Sequence, residues 1–291
     1  MPDLVFSAAR LRGYRVLETA GLGDALSLQI LDRVIAGRLW LPYSLIEIAF
    51  RNAADRCVTG AHKAGEDWLI QDGRDGDAFL AKSVSGAKAF RGQRDDATED
   101  DPIGEAARMA GRQLNRDRIS RDDLVAHLML GFWVSRCPGA LAADGIDLWK
   151  LLAANLALPL NDAARLAKVM TQLLRIRNRI AHHEPLLFRA KHVFAAKDGS
   201  PKTGATLISD LQAAIPPFLA EVALATETAK AFAPMASKYL DAIPDQIRVE
   251  IAPLEAALAA ERRRLKEARE ARIAARQAER AAGDKRNRAR P

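Results

Sequence analysis

The string RIRNRIAHH brings together three side chains that could act on one anion: Arg177, Asn178 and His182. An arginine supplies a fixed positive charge, a histidine exchanges a proton near neutral pH, and an asparagine amide orients what the other two hold. On a helix each residue advances about 100°, so with Arg177 at zero, Leu166, Val169, Met170, Leu173, Leu174, Ile180 and Ala181 fall between roughly −80° and +60°. Arg177 is therefore expected on an apolar stripe, with Asn178 at about 100° and His182 at about 140° on its flank. Burying a guanidinium costs several kcal/mol unless it is paired, so this placement demands a carboxylate, a cleft or a subunit interface. The plainer alternative is that Arg177 pairs with a buried carboxylate while His182 only caps the helix, where positive charge is favoured. His183 diverges by about 100° from its neighbour and points nearer solvent.

Extended as RIRNRIAHHEPL, the string resembles the Arg-Asn-x-x-x-His signature of the HEPN superfamily, and AHHEP resembles its Abi-like (abortive infection) branch. SLIEIAFRNAAD followed by EDWL resembles that family's N-terminal Glu-x-x-x-Arg-Asn segment and following Trp, and LMLGFWVS with a later LW resembles its central motif. The resemblance runs in the family's order over roughly residues 7–232. It implies an all-α fold, a HEPN-type helical bundle with an additional N-terminal helical region and a basic C-terminal helix or tail. It also implies an endoribonuclease of the abortive-infection or toxin type, with Arg177 and His182 as the catalytic pair, Asn178 as the intervening polar group, and a site shared by a homodimer. The implied partners are an RNA substrate and an antitoxin or phage-derived trigger. Because HEPN domains include binding-only members, a non-catalytic RNA-binding or protein-interaction module is the alternative. His183, Glu47 and Arg51 are candidate supports of the site, although Glu47 and Arg51 read first as an i,i+4 ion pair on one helix.

Other chemistries fit less well. HHEPLL is not H-E-x-x-H, because Leu187 stands four positions beyond His183. GSPKTGAT has the glycine spacing of a phosphate loop, but Ala205 replaces its lysine. Asp95, Asp96, Glu99, Asp100 and Asp101 lack calcium-loop spacing and read as a solvated loop. No cofactor or metal is expected, so charge developing on phosphorus would be met by Arg177 and cleavage would use the ribose 2′-hydroxyl.

These residues must be held by helices. Of 291 residues, 49% are hydrophobic and only 5% aromatic, with Ala, Leu and Arg where a β protein would carry Val, Thr and Tyr. Apolar periodicity predicts helices over 7–20, 24–38 and 44–61, punctuated by Gly21, Gly23, Leu41-Pro42 and Gly60. A turn-rich connection is expected over 71–102 around a short 78–89 segment, then helices over 103–114, 120–130 (opened by a capping box at Ser120) and 161–182, stopped by Pro185. Further helices are expected over 206–214 and 217–232. Phe132 and Trp133 are expected as core anchors rather than base-stacking platforms.

The formal charge is +7, yet residues 251–291 carry 12 Lys/Arg and 6 Asp/Glu, which leaves 32 and 31 in the other 250. Any pull on nucleic acid must come from that tail or from local arrangement. The tail reads as helix to Ala282, then Gly283 and a disordered basic end, and is a candidate nucleic-acid contact. Its heptad-spaced Leu254, Leu258, Leu265 and Ala268 are interrupted by Glu261 and Arg272. Three segments follow: 1–119, an N-terminal helical part; 120–243, the core with the Arg-Asn-x-x-x-His motif; and 244–291, the tail. Cys57 and Cys137 form no metal or disulfide pattern, no basic-then-apolar leader opens the chain, and no apolar stretch approaches about 18 residues, so a cytoplasmic protein without membrane association is expected.

Overall fold

Helix-forming composition is realised throughout: in the computed structural model, which describes residues 8–61, 102–114, 120–143, 145–156, 160–187 and 204–288, the fold is all-α and no strand occurs among the described residues. In chain order the helices are α1 (Ala8–Thr19), α2 (Ala25–Ala61), α3 (Pro102–Leu114), α4 (Arg121–His127), a π-helical turn (Phe132–Arg136), α5 (Cys137–Ala143), α6 (Leu148–Ala153), α7 (Ala163–Ala181), α8 (Gly204–Phe232), a 3₁₀ turn (Pro234–Ala236), α9 (Ser237–Leu240) and α10 (Ile243–Arg288). The segment 78–89 and the acidic run 95–101 lie outside the described residues.

The chain forms two compact units, interleaved in sequence: unit 1 is Met1–Arg38, His183–Val222 and Ile243–Pro291, and unit 2 is Leu39–His182 and Ala223–Ala242. Unit 1 buries Leu11, Tyr14, Leu17, Leu28 and Ile35 from its first segment and Leu211, Phe218, Ile247, Ile251 and Leu258 from the other two. Unit 2 buries Tyr43, Ile46 and Phe50 with Trp133, Leu141, Leu152, Leu166, Met170 and Leu173. Within it α3 packs on α4, and α7 packs on both α6 and the π-helical turn. Trp133 is fully buried and Phe132 nearly so, their rings edge to face with centroids 5.2 Å apart, as the aromatic-poor composition led one to expect.

The local start signals act as read. Ser120 caps α4 in a capping box with Asp123, and Asp162 caps α7 by accepting from the Arg165 N–H. Three stop signals do not act. Pro42 lies inside the single helix α2, because Leu39 before it and Tyr43, Ile46 and Phe50 after it keep one buried register, while the carbonyl it leaves without a donor belongs to exposed Arg38. Pro216 and Pro217 lie inside α8 on its exposed side, so the freed carbonyls can reach water. α10 runs through Gly283 to Arg288 rather than ending at Ala282, since one glycine among strong helix formers costs only about 1 kcal/mol. With α8 unbroken, Ala205–Phe232 is long and apolar enough to cross a membrane by length and composition, contrary to the sequence expectation. A core helix passes the same test, and Leu207, Ile208, Leu211, Ile215, Phe218 and Val222 of this helix are buried in unit 1.

Candidate functional site

Glu47 is the centre of the arrangement. It sits beside Ile46 and Phe50 on α2, at the edge of that helix's buried face, and both oxygens are used. Oε2 accepts from Arg177 Nε at 3.0 Å, and Oε1 accepts from Arg177 Nη2 at 3.2 Å and from the Leu130 N–H at 3.3 Å. One carboxylate thereby joins the segment SLIEIAFRN, the segment LMLGFWVS and the signature RIRNRIAHH, although Glu47 and Arg177 are 130 residues apart. Each of the two charged side chains is only 18% exposed. The guanidinium spends Nε and one edge of Nη2 on Glu47; Nη1 has no partner among the described residues and is not sealed from solvent. Bidentate geometry of this kind fixes the plane of an arginine as well as its position.

The predicted Glu47–Arg51 ion pair is replaced. Glu47 reaches across to α7, and Arg51 Nη1 instead donates to the Ala126 carbonyl, leaving Nε buried without a partner. Burial pulls the Arg51 guanidinium below its ordinary pKa, and the Glu47 charge opposes that shift. One turn further along α2, Asp55 takes both ends of Arg121 at 2.8 and 2.5 Å, and Arg121 also donates to Thr59 Oγ1 at 2.5 Å. The flank Glu47, Arg51, Asp55 is thus a polar seam tying α2 to α7 and α4, with the i,i+4 spacing serving three separate partners rather than internal pairing.

On α7, Leu166, Val169, Met170, Leu173, Leu174, Ile176 and Ile180 are buried. Ile176 joins the predicted stripe, whose centre then lies about 30° from Arg177, and the guanidinium within that stripe is half-buried rather than sealed in the core. Asn178 is half-buried on the flank, and His182 is the exposed C-cap residue, its N–H donating to the Asn178 carbonyl at 2.8 Å. Among the described residues no side-chain hydrogen bond joins Asn178 or His182 to Arg177 or Glu47. His183 follows with φ +55°, exposed, and ends the helix in the left-handed region before Pro185 is reached.

Sequence reading missed Asp32 and Arg33, which hold the turn after His183. Buried Asp32 accepts the Leu186 N–H at 3.0 Å and the Leu187 N–H at 3.1 Å, while Arg33 donates to the Glu184 carbonyl at 2.9 Å and to Asp32 at 2.5 Å. The signal was present: Asp32 stands at a buried register between Leu28 and Ile35, the same kind of misplaced charge that drew attention to Arg177.

Other reactive groups are quiet. Burial raises the thiol pKa of Cys57 and of Cys137, which disfavours the thiolate of each. Cys57 lines an open groove with Ala53, Arg56, Leu151 and Asn155, its sulfur accepting from the Asn155 amide at 3.8 Å. Among the described residues no group of three or more His, Cys, Asp or Glu is placed to hold a metal ion.

No family model, curated protein or solved structure matches the chain. What the geometry defines on its own is an all-α protein with a carboxylate-held arginine five residues, and about 140° around the helix, before an exposed helix-capping histidine. That arrangement can bind an anion through the free Nη1 edge, and the histidine ring, open to solvent, is available for proton transfer.

Proposed function

We propose that this chain is a HEPN-type endoribonuclease of the abortive-infection or toxin kind. The observation that carries the reading is the meeting of all three family-like segments at the Glu47 carboxylate, with Arg177 left one free edge. In this reading Glu47 fixes the guanidinium, and Nη1 meets the charge that develops on the scissile phosphate. The ribose 2′-oxygen attacks phosphorus as its proton passes to a base; the P–O5′ bond breaks and the 5′-oxygen takes up a proton. His182 performs one of these two transfers, and a second copy of the chain supplies the other histidine. The products are a 2′,3′-cyclic phosphate and a 5′-hydroxyl.

A second reading is favoured by two features: Glu47 already neutralises Arg177, and among the described residues no side-chain hydrogen bond orients His182. A binding-only HEPN module would need no more. Incubation of purified protein with labelled RNA in EDTA separates the two. The nuclease reading expects cleavage that is lost in Arg177→Ala and His182→Ala, that fails on a substrate with 2′-deoxy at the scissile nucleotide, and that leaves a cyclic phosphate end. Intact RNA that remains bound sinks it.

A further inference from the structure

The last described helix leaves the core. After Ile243, Ile247, Ile251, Leu254 and Leu258 are buried in unit 1 and Leu265 is half-buried, every residue of 266–281 is exposed, so this stretch is a helical arm with no covered face. An exposed helix normally stabilises itself with alternating charges, Glu placed four residues before Lys or Arg. This arm does the opposite. The positions four after Glu267, Glu270 and Glu279 are Ala271, Ala274 and Gly283, and the one i,i+4 pair formed in this stretch among the described residues, Lys266 with Glu270 at 3.8 Å, runs in the weaker orientation.

The cations lie together instead. With Arg276 at zero, Arg269, Arg272 and Arg280 fall at about +20°, −40° and +40°, one stripe about 16 Å long. Arg269–Arg272, Arg272–Arg276 and Arg276–Arg280 are like-charge neighbours at i,i+3 or i,i+4 spacing, each destabilising to an isolated helix. None of the four has a partner among the described residues, although Glu279 stands at the stripe's edge. The opposite face holds Glu267 at its centre among Ala271, Ala274, Ala278 and Ala281, with Glu270 to one side, so the arm has Ile273 but no face of large apolar residues to bury in a lipid bilayer.

We infer that Arg269, Arg272, Arg276 and Arg280 form a nucleic-acid-binding stripe that grips the phosphodiester backbone of RNA without reading its sequence. A regular line of phosphates relieves the repulsion that the helix cannot relieve itself, and guanidinium groups suit phosphate geometry. Taking that RNA to be the substrate rests on the nuclease reading above; the binding itself does not.

Fluorescence anisotropy with full-length protein and a labelled single strand of fully 2′-O-methylated RNA, which cannot undergo 2′-hydroxyl attack, isolates binding from cleavage. Replacing all four arginines by alanine, which preserves helix, should raise Kd at least tenfold at about 0.1 M salt and reduce the slope of log Kd against log salt by about 3. Replacing all four by lysine should keep Kd within about threefold of wild type. Binding unchanged in the alanine variant, with helix content intact by circular dichroism, overturns the proposal, as does stronger binding to phosphatidylserine vesicles than to RNA. An inactive wild type whose RNA binding still depends on the four arginines removes the nuclease reading and leaves the stripe. Cleavage by a protein whose alanine variant binds normally does the reverse.

Discussion

Breaking the Glu47–Arg177 pair should destabilise unit 2 by about 2 kcal/mol, and the two residues should be strongly coupled. Exposed ion pairs contribute about 0–1 kcal/mol, whereas removing one partner of a buried pair costs about 3–5 kcal/mol, because the other charge is left stranded. With each side chain 18% exposed and two N–H···O bonds at 3.0 and 3.2 Å, this pair lies between those limits. Glu47→Gln removes the charge but keeps an oxygen for the Leu130 N–H, so its cost isolates the stranded guanidinium. Arg177→Met keeps the apolar stem and strands the carboxylate. Each single change should cost about 2 kcal/mol and the double change about the same as either, giving a coupling energy near 2 kcal/mol. All four tryptophans, Trp40, Trp68, Trp133 and Trp149, belong to the sequence of unit 2, so denaturant unfolding followed by tryptophan fluorescence reports this unit. Additive single costs, with coupling below about 0.5 kcal/mol, would show that Glu47 does not hold Arg177 in solution and would remove the positioning argument with it.

Asp32→Ala should cost about 2–3 kcal/mol, because the Leu186 and Leu187 N–H groups lose their buried acceptor, and amide exchange at those two residues should speed up by at least tenfold; unchanged protection would refute the clamp. Asp147→Ala should cost α6 about 1 kcal/mol at pH 7, where the aspartate caps the helix by accepting from the Lys150 N–H. That hydrogen bond lowers the Asp147 pKa from 3.8, so the stabilisation is full well above that value and is lost as pH falls through the lowered one; unfolding at pH 7 and pH 2.5 should show the difference between mutant and wild type shrinking in acid. His183→Gly should stabilise the protein by about 1 kcal/mol, since glycine adopts φ +55° without a β-carbon penalty, and should leave RNA cleavage intact; loss of cleavage would make His183 a member of the site.

What the sequence disclosed and what it withheld divide along a physical line. Signals that act within one turn were legible: Ser120 and Asp162 cap their helices through side chains three residues from their targets, and Gly21 and Gly23 take positive φ where the first turn was expected. Signals that compete with tertiary burial were misread, as at Pro42 and Pro216-Pro217, because the loss of a donor or two is outweighed by a continuous buried register that only the packed chain reveals. The position of Arg177 showed that a carboxylate or a cleft was required but not which; Glu47 looked satisfied by Arg51 four residues away, and local spacing cannot show that a bidentate partner from another helix wins. Asp32 carried the same signal as Arg177 and went unread because no reactive residue stood beside it in sequence. A charge at a core register is thus a pointer to a long-range contact whether or not it is a pointer to chemistry. Asp32 and Arg177 have different fates: Asp32 is consumed by the Leu186 and Leu187 N–H groups and by Arg33, whereas Arg177 keeps Nη1 unspent, and an unspent donor fixed in place by a bidentate partner is what an anion site requires.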